Sequence, residues 1–301
     1  MAVQQVRAFI NGAWHTLTYN GSTGKYEKTI TAPSITSFNQ AGGVYPVTIE
    51  ATDDYGNVTT DSTTGKLTVK EVTKPVITIT GPTGGAKLTN NKPPISFTLR
   101  DEANGSGVKL STLALKIDGG TTVGNGATGM VCTPVTNGYD CVYTPQSALT
   151  DGSHTVTINV ADNDGNTAVQ KTASFMVDTV APTLNVSTPV EGLKTNIASL
   201  TVTGYTNDLT SSPVTVTIKL NGVDQGAVSV DGGGNFSKTI TLATGSNTIV
   251  VRSTDSAGKY TEITRTVSLN TVAPVISNIA ITPNPANVGT SITISCTVTD
   301  S

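Results

Sequence analysis

One pattern recurs three times along this chain and limits what it can fold into. Gly43-Val44-Tyr45-Pro46-Val47-Thr48-Ile49-Glu50-Ala51-Thr52-Asp53 runs into Asp54-Tyr55-Gly56-Asn57. Gly152 to Asp162 followed by Asn163-Asp164-Gly165-Asn166 is a second copy, and Gly245 to Asp255 followed by Ser256-Ala257-Gly258-Lys259 is a third. In each copy the Gly stands ten residues before the Asp. Apolar side chains fall on alternate positions between them: Val47, Ile49 and Ala51 in the first, Val156, Ile158 and Val160 in the second. That period of two is the mark of a strand with one buried face. A turn built on Asp and Gly then leads into another strand.

The joints repeat as well. Lys74-Pro75-Val76-Ile77, Asp178-Thr179-Val180-Ala181-Pro182-Thr183 and Asn270-Thr271-Val272-Ala273-Pro274-Val275 each follow a final strand. Proline at the head of an edge strand removes an N–H where none is needed, and it stiffens the linker. A second likeness lies at an offset of 210 residues: Phe9-Ile10-Asn11-Gly12 matches Lys219-Leu220-Asn221-Gly222, and Gly24 to Ile30 matches Gly234 to Ile240. Asn-Gly between apolar runs is a hairpin signal.

Short strands separated by turn signals predict an all-β chain of tandem sandwiches in an extended rod. The repeats divide it into modules at 1–72, 73–179, 180–270 and 271–301. Charged residues make up only 13% and aromatics 5% of the 301 residues, and the net charge is −3. No basic patch is available to track phosphates, which argues against nucleic acid as a partner. No apolar run approaches the ~20 residues of a membrane span.

The modules resemble bacterial immunoglobulin-like domains. The residues that carry the resemblance are the Asp53–Asn57 and Asp162–Asn166 turns, the more degenerate Asp255–Lys259 turn, and the Thr-Val-Ala-Pro joints. It covers essentially the whole chain and implies a two-sheet immunoglobulin-like sandwich for each module. Its implication for function is broad, because such modules serve adhesins, cell-wall enzymes and phage virions alike. The opening segment, with Gly24-Lys25-Tyr26, Thr31-Ala32-Pro33-Ser34 and Tyr45-Pro46-Val47, is similar to immunoglobulin-like proteins of tailed phages of Gram-positive bacteria.

The two ends break the pattern. About 35 residues separate Pro182 from the strand leading into Asn221, whereas only Met1 to Gln5 precede the matching strand of the first module. The first module therefore lacks its opening strands, while Pro274–Pro285 and Ser291–Asp300 read as the opening strands of a fourth. Three accounts stand open. The chain is a piece of a longer one cut within the fourth module; or the first module is a smaller sandwich; or the last strands of one copy complete the first module of the next, a route to self-association.

Of the three cysteines, Cys132 and Cys141 flank Asn137-Gly138. They are either bridged across a hairpin or two small half-buried residues. Cys296 has no evident partner.

Little in the chain promises catalysis. There are two histidines, His15 and His154. His154 stands where the sister modules have Tyr45 and Asn247, which reads as a surface strand residue. Nucleophile-elbow, zinc-protease and P-loop patterns are missing. The acidic turns are the best candidate site. Asp162, Asp164 and Asn166, and likewise Asp53, Asp54 and Asn57, offer alternating oxygen ligands of the kind calcium prefers, and Asp178 sits in the next joint. The competing reading is that these residues shape and cap their own turns. Trp14, the one tryptophan, follows the Asn11-Gly12 turn and is either an exposed sugar platform or a core anchor of its module.

These features lead to a non-enzymatic structural or adhesive protein. The first expectation is a virion component of a tailed phage, in a tail or fibre, whose partners are other virion proteins and host surface carbohydrate. The Met1-Ala2 start, without a basic segment leading into an apolar core, fits assembly in the cytoplasm. The alternative is a stalk segment of a bacterial surface adhesin. An accessory module of an extracellular hydrolase is a weaker third.

Overall fold

The computed structural model describes residues 2–300. Apart from two short 3-10 turns at Ser37–Asn39 and Ala41–Gly43, every regular element among them is a β-strand. No helix is long and apolar enough to cross a membrane. The chain forms two compact units, Met1–Val177 and Asp178–Ser301.

The first unit opens with β1 (Val3–Ile10), β2 (Ala13–Asn20), β3 (Lys25–Glu27), β4 (Tyr45–Asp53) and β5 (Val58–Leu67), which form one antiparallel sheet in the order β3-β2-β1-β4-β5. The 210-residue likeness holds for sequence but not for pairing: Lys25–Glu27 pairs with β2 in this sheet, whereas its counterpart at Asn235–Thr241 belongs to the sheet opposite that of Thr215–Leu220, and among the described residues no second sheet faces this one. Only Val6, Ile10 and Tyr45 are buried among its large apolar residues, and Leu17, Val47 and Ile49 stay half-buried. A smaller two-sheet sandwich is therefore not what these residues form.

The same unit continues with a complete sandwich. Its strands are β6 (Val76–Gly81), β7 (Ala86–Leu88), β8 (Ile95–Arg100), β9 (Val108–Ile117), β10 (Met130–Val135), β11 (Gly138–Tyr143), β12 (Gly152–Asp162) and β13 (Lys171–Val177). One sheet runs β10-β11-β8-β6 and the other β7-β13-β12-β9. Alternating inward residues from both, including Ile77, Phe97, Leu99, Leu115, Val156 and Ile158, make one core. Each such side chain contributes about 1.5–3 kcal/mol by leaving water.

The second unit repeats the plan with β14 (Thr183–Thr188), β15 (Leu193–Thr195), β16 (Ser199–Asn207), β17 (Thr215–Leu220), β18 (Val223–Asp224), β19 (Asn235–Thr241), β20 (Gly245–Thr254) and β21 (Tyr260–Leu269). Its sheets run β14-β16-β19 and β15-β21-β20-β17-β18, around a core of Val202, Ile218, Phe236, Ile249, Val251 and Val267. In both sandwiches the opening strand changes sheets. β6 pairs antiparallel with β8, then β7 lies parallel to β13. Likewise β14 pairs with β16, and β15 lies parallel to β21. At the end, β22 (Val275–Thr282) and β23 (Thr293–Thr299) form a two-stranded hairpin exposed on both strands.

Cys132 and Cys141 face each other across β10 and β11, with Cα atoms 4.1 Å apart, and are disulfide-bonded. Cys141 is buried, Cys132 half-buried, and Cys296 is free and exposed.

Two outcomes follow. Ile158→Ala and Ile249→Ala should each cost about 2–5 kcal/mol in denaturant unfolding of their own module, whereas Ile294→Ala, at a site 67% exposed, should cost less than about 0.5 kcal/mol. Replacing both Cys132 and Cys141 with Ala should cost about 2–3 kcal/mol, the loop-closure value for a nine-residue separation.

Candidate functional site

The repeated strand places polar groups at both ends of a buried apolar row. On β12 the inward row is His154, Val156, Ile158, Val160 and Asp162, and on β20 it is Asn247, Ile249, Val251 and Ser253, continued by Asp255 directly after the strand. An even spacing keeps both terminal polar residues on the core face. Each therefore needs partners inside the protein.

At one end the row is tethered to the neighbouring strand. His154 Nδ1 lies 2.7 Å from Asp118 Oδ2 and Nε2 lies 2.7 Å from the Thr150 carbonyl. In the second unit Asn247 does the same work. Its Nδ2 donates to the Ala243 carbonyl at 2.7 Å, and its Oδ1 accepts from Asn221 Nδ2 at 3.1 Å. His154 is only 5% exposed, so it is a buried tether and not the surface strand residue expected from its variability.

At the other end the row runs into a cluster of carboxylates. Oxygens of Glu71, Asp101 and Asp162 all lie within 4.8 Å of one another. Glu71 comes from the joint after β5, Asp101 from the loop after β8, and Asp162 from the end of β12. Asp162 is well supplied: Oδ1 accepts from the Gly165 and Asn166 amides at 2.6 and 2.8 Å, and Oδ2 from Asn166 Nδ2 at 2.8 Å. The others are not. Glu71 Oε1 accepts from the Ser106 amide and Asp101 Oδ2 from the Gly107 amide at 2.7 Å. Glu71 Oε2, Asp101 Oδ1 and Oε2 of neighbouring Glu102 are buried without a partner. Gly105 roofs the cluster: a Cβ there would fall 2.8 Å from Glu71 Oε2, 2.9 Å from Asp101 Oδ2 and 2.9 Å from Glu102 Cδ. A cleft lined by Thr36, Val69, Glu71, Glu102 and Asn104 opens beside it.

The second unit builds the same cluster from Asp178, Asp208 and Asp255, again within 4.8 Å. Asp178 stands four residues before Pro182, as Glu71 stands four before Pro75. Asp208 directly follows β16, as Asp101 follows β8. Asp178 accepts from Ser211 Oγ and from the Val180 amide at 3.2 Å, and Asp208 Oδ1 from the Thr210 and Ser211 amides at 2.8 and 2.7 Å. Asp255 Oδ1 accepts from the Ala257 and Lys259 amides, while its Oδ2 is buried without a partner.

Like charges at this spacing repel by about 1–4 kcal/mol per pair, depending on local screening. The ion pairs among the described residues, Arg7–Glu50, Arg100–Asp140, His154–Asp118 and Arg252–Glu262, leave all of these carboxylates without a basic partner. Burial pushes the Glu71 carboxyl above its ordinary range, and neighbouring Glu102 adds to the rise. Burial also raises Asp101, with the charges of Glu71 and Asp162 acting in the same direction.

Of the residues the sequence singled out, the structure brings only Asp162 and Asp178 into clusters. Asp164 instead joins the first module to the second. Its Oδ2 accepts from Thr36 Oγ1 at 2.5 Å and from the Glu71 amide at 3.1 Å. Asn166 donates to Asp162 and to the Glu71 carbonyl. Asp53 caps its own turn, accepting from the Tyr55 and Asn57 amides and from Asn57 Nδ2, and these bonds, led by Asn57, hold its carboxyl below the usual range. Asp54 and Asn57 are exposed, and no carboxylate cluster among the described residues includes Asp53 or Asp54. Trp14 is 43% exposed and is not a core anchor. It lies against Phe9 at 5.1 Å, under the Arg7 guanidinium at 4.2 Å.

Sequence reasoning passed over Glu71, Asp101, Glu102, Asp208 and Asp255. The available signal was positional: an acid four residues before the joint prolines Pro75 and Pro182, and an Asp immediately after the strand that crosses each sandwich.

These two sandwiches, with their shared plan and shared clusters, define tandem immunoglobulin-like modules. Residues 71–179 match the family model of a bacterial Ig-like domain, and residues 182–271 match that of glucodextranase domain B. Bacillopeptidase F of Bacillus subtilis (strain 168) is 32% identical over 131 residues, which are 44% of this chain and 9% of that protein. Solved structures with a similar trace include the fibronectin(III)-like modules of Clostridium thermocellum CbhA, at 14% identity and a TM-score of 0.38, covering 65% of this chain and 94% of that one. A tetra-tandem repeat from the extending region of a large adhesion protein is 18% identical with a TM-score of 0.34, covering 98% and 79%. The fold assignment rests on the strand pairing and the two family models.

The tether gives a pH prediction. Burial alone would lower the His154 pKa, but the hydrogen bonds to Asp118 and the Thr150 carbonyl outweigh it and the net shift is upward from 6.5. A raised value in the folded state means stabilisation that is complete below about pH 6.5 and lost as pH rises through the folded value. Denaturant unfolding of the second module should therefore show lower stability at about pH 8.5 than at about pH 6. His154→Asn, which installs the residue of the sister module, should remove that difference.

Proposed function

We propose that the chain is a non-enzymatic structural and adhesive segment displayed outside the cell, and that its carrier is a tailed-phage virion, in a tail or fibre that decorates the particle or aids attachment to host surface glycans. The observation that carries the structural reading is how the buried polar residues of the sandwiches are used. His154, Asn247, Asp162 and Asp255 hold strands, turns and joints together, in two copies of one plan. Bacterial Ig-like domains are typically non-catalytic, and glucodextranase domain B is an accessory domain. The opening segment's likeness to phage Ig-like proteins supports the choice of carrier. The outer face of β1 and β2, with Arg7, Phe9 and Trp14, supplies an exposed aromatic contact of the kind a sugar ring stacks on.

A second reading, a stalk segment of a bacterial cell-surface adhesin, is favoured by the Cys132–Cys141 bridge, since such bridges form in oxidising compartments.

Gold-labelled antibody to this chain, applied to purified phage particles and to the bacterial envelope, separates the two. Label on the particles is the expected result, and label confined to the envelope sinks the virion reading. For attachment, fluorescence of the one tryptophan should change on adding host cell-wall glycan, and Trp14→Ala should weaken binding about tenfold or more with an unchanged melting curve.

A further inference from the structure

We propose that the two joint clusters are one calcium site made twice, by Glu71, Asp101, Glu102 and Asp162 in the first unit and by Asp178, Asp208 and Asp255 in the second. The inference does not depend on what carries the chain.

Turn-capping accounts for part of these residues and leaves a remainder. It explains both oxygens of Asp162, Oδ1 of Asp255 and the bonds of Asp208. It does not explain why Asp101, 7% exposed, and Asp255, 5% exposed, each keep one buried oxygen without a donor beside other carboxylates. A buried, unpartnered carboxylate oxygen is costly, and folds retain one where something else satisfies it. A small cation would supply the missing partner for all of these oxygens at once, where a proton shared between neighbouring carboxyls would serve only one pair. The partner must lie among oxygens from three segments, and no basic side chain in the described ion pairs supplies it.

The chemistry of the donors selects the ion. Every available ligand is oxygen, which suits a hard cation and not the nitrogen- and sulfur-seeking metals. Calcium binds oxygens at about 2.3–2.6 Å, so opposite ligands stand up to about 5 Å apart. One oxygen from each of Glu71, Asp101 and Asp162, and one from each of Asp178, Asp208 and Asp255, already lie within 4.8 Å of one another, before any ion draws them in. Gly105 keeps the first cluster open, since the Cβ of any other residue would collide with three of its acids. The cleft past Thr36 and Asn104 gives an entry path.

Repetition is the independent argument. The two modules differ in their tether, in their edge strands and in the residues of the turn, yet each brings an acid from the joint, an acid from the loop after the crossing strand and an acid from the end of the repeated strand to one point. Because one ligand belongs to the joint, the ion would fasten each joint to two loops of the module that follows it. In the first unit Asp164 and Thr36 extend that fastening to the first module.

The test is calorimetric titration of the whole chain, stripped with EGTA, with calcium and separately with magnesium. We expect two calcium ions per chain, one in Asp101→Asn, one in Asp255→Asn and none in the double variant, with magnesium bound more weakly. Gly105→Ala should lose the first site alone. Melting should rise by about 5 °C or more in millimolar calcium relative to EGTA. The sign of the variant effect is diagnostic: in EGTA, Asp101→Asn should melt at or above the unaltered chain, because a repelling charge is gone, and in calcium it should melt below it. No calcium uptake by the unaltered chain would overturn the proposal. So would two ions retained in both single variants, or variants equally destabilised with and without calcium, which is what a purely structural carboxylate predicts.

Discussion

The structure hangs on the two-sided nature of one strand. Because side chains alternate between faces, the eight-residue spacing from His154 to Asp162, and from Asn247 to Asp255, commits both ends of the row to the inside once the middle is apolar. The apolar middle supplies the burial energy that holds two sheets together. The polar ends supply constraints that an apolar residue cannot: one fixes the register against the adjacent strand, and the other gathers the loops at the pole of the sandwich. A slip of one residue would expose the core and bury the charged and hydroxyl face instead.

The same row exists in the first module, as Tyr45, Val47, Ile49, Ala51 and Asp53, and shows what the other sheet contributes. Without strands equivalent to β6 and β8 across from it, the row is mostly half-buried, and no acid corresponding to Glu71 or Asp101 reaches Asp53. Asp53 then does only what its local sequence provides for, closing its own turn. A similar turn thus has different chemistry in different modules, decided by residues from 47 to 91 positions away in the two that are complete.

That dependence explains what could be read from the sequence and what could not. The all-β character and the tandem Ig-like plan were legible, because periodicity and turn residues are local. The Cys132–Cys141 pairing was half legible, since the Asn137-Gly138 turn places the two opposite each other but does not say whether they bond. The clusters were not legible as clusters. Asp162 and Asp178 drew notice by sitting in conspicuous turns and joints, whereas Asp101, Glu102 and Asp208 follow ordinary strands and acquire meaning only when the sandwich closes. His154 was misjudged, and Trp14 was left between two readings, for the same reason: burial is set by the facing sheet, which composition does not reveal.

The parallel pairing of β7 with β13, and of β15 with β21, bears on how such a module meets force. Each pairing joins the first strand of a module to its last, the two segments through which a neighbour on either side would pull. Strands that run the same way and are drawn apart by opposite ends slide past each other. Their hydrogen bonds then stretch together, whereas a hairpin pulled from its open end gives way one rung at a time. Three residue pairs, Ala86–Phe175, Lys87–Met176 and Leu88–Val177, share that shear in one sandwich, and Leu193–Val267, Lys194–Ser268 and Thr195–Leu269 share it in the other. The short edge strand, which adds little to the core, is thus the part of each sandwich best placed to keep it folded under tension.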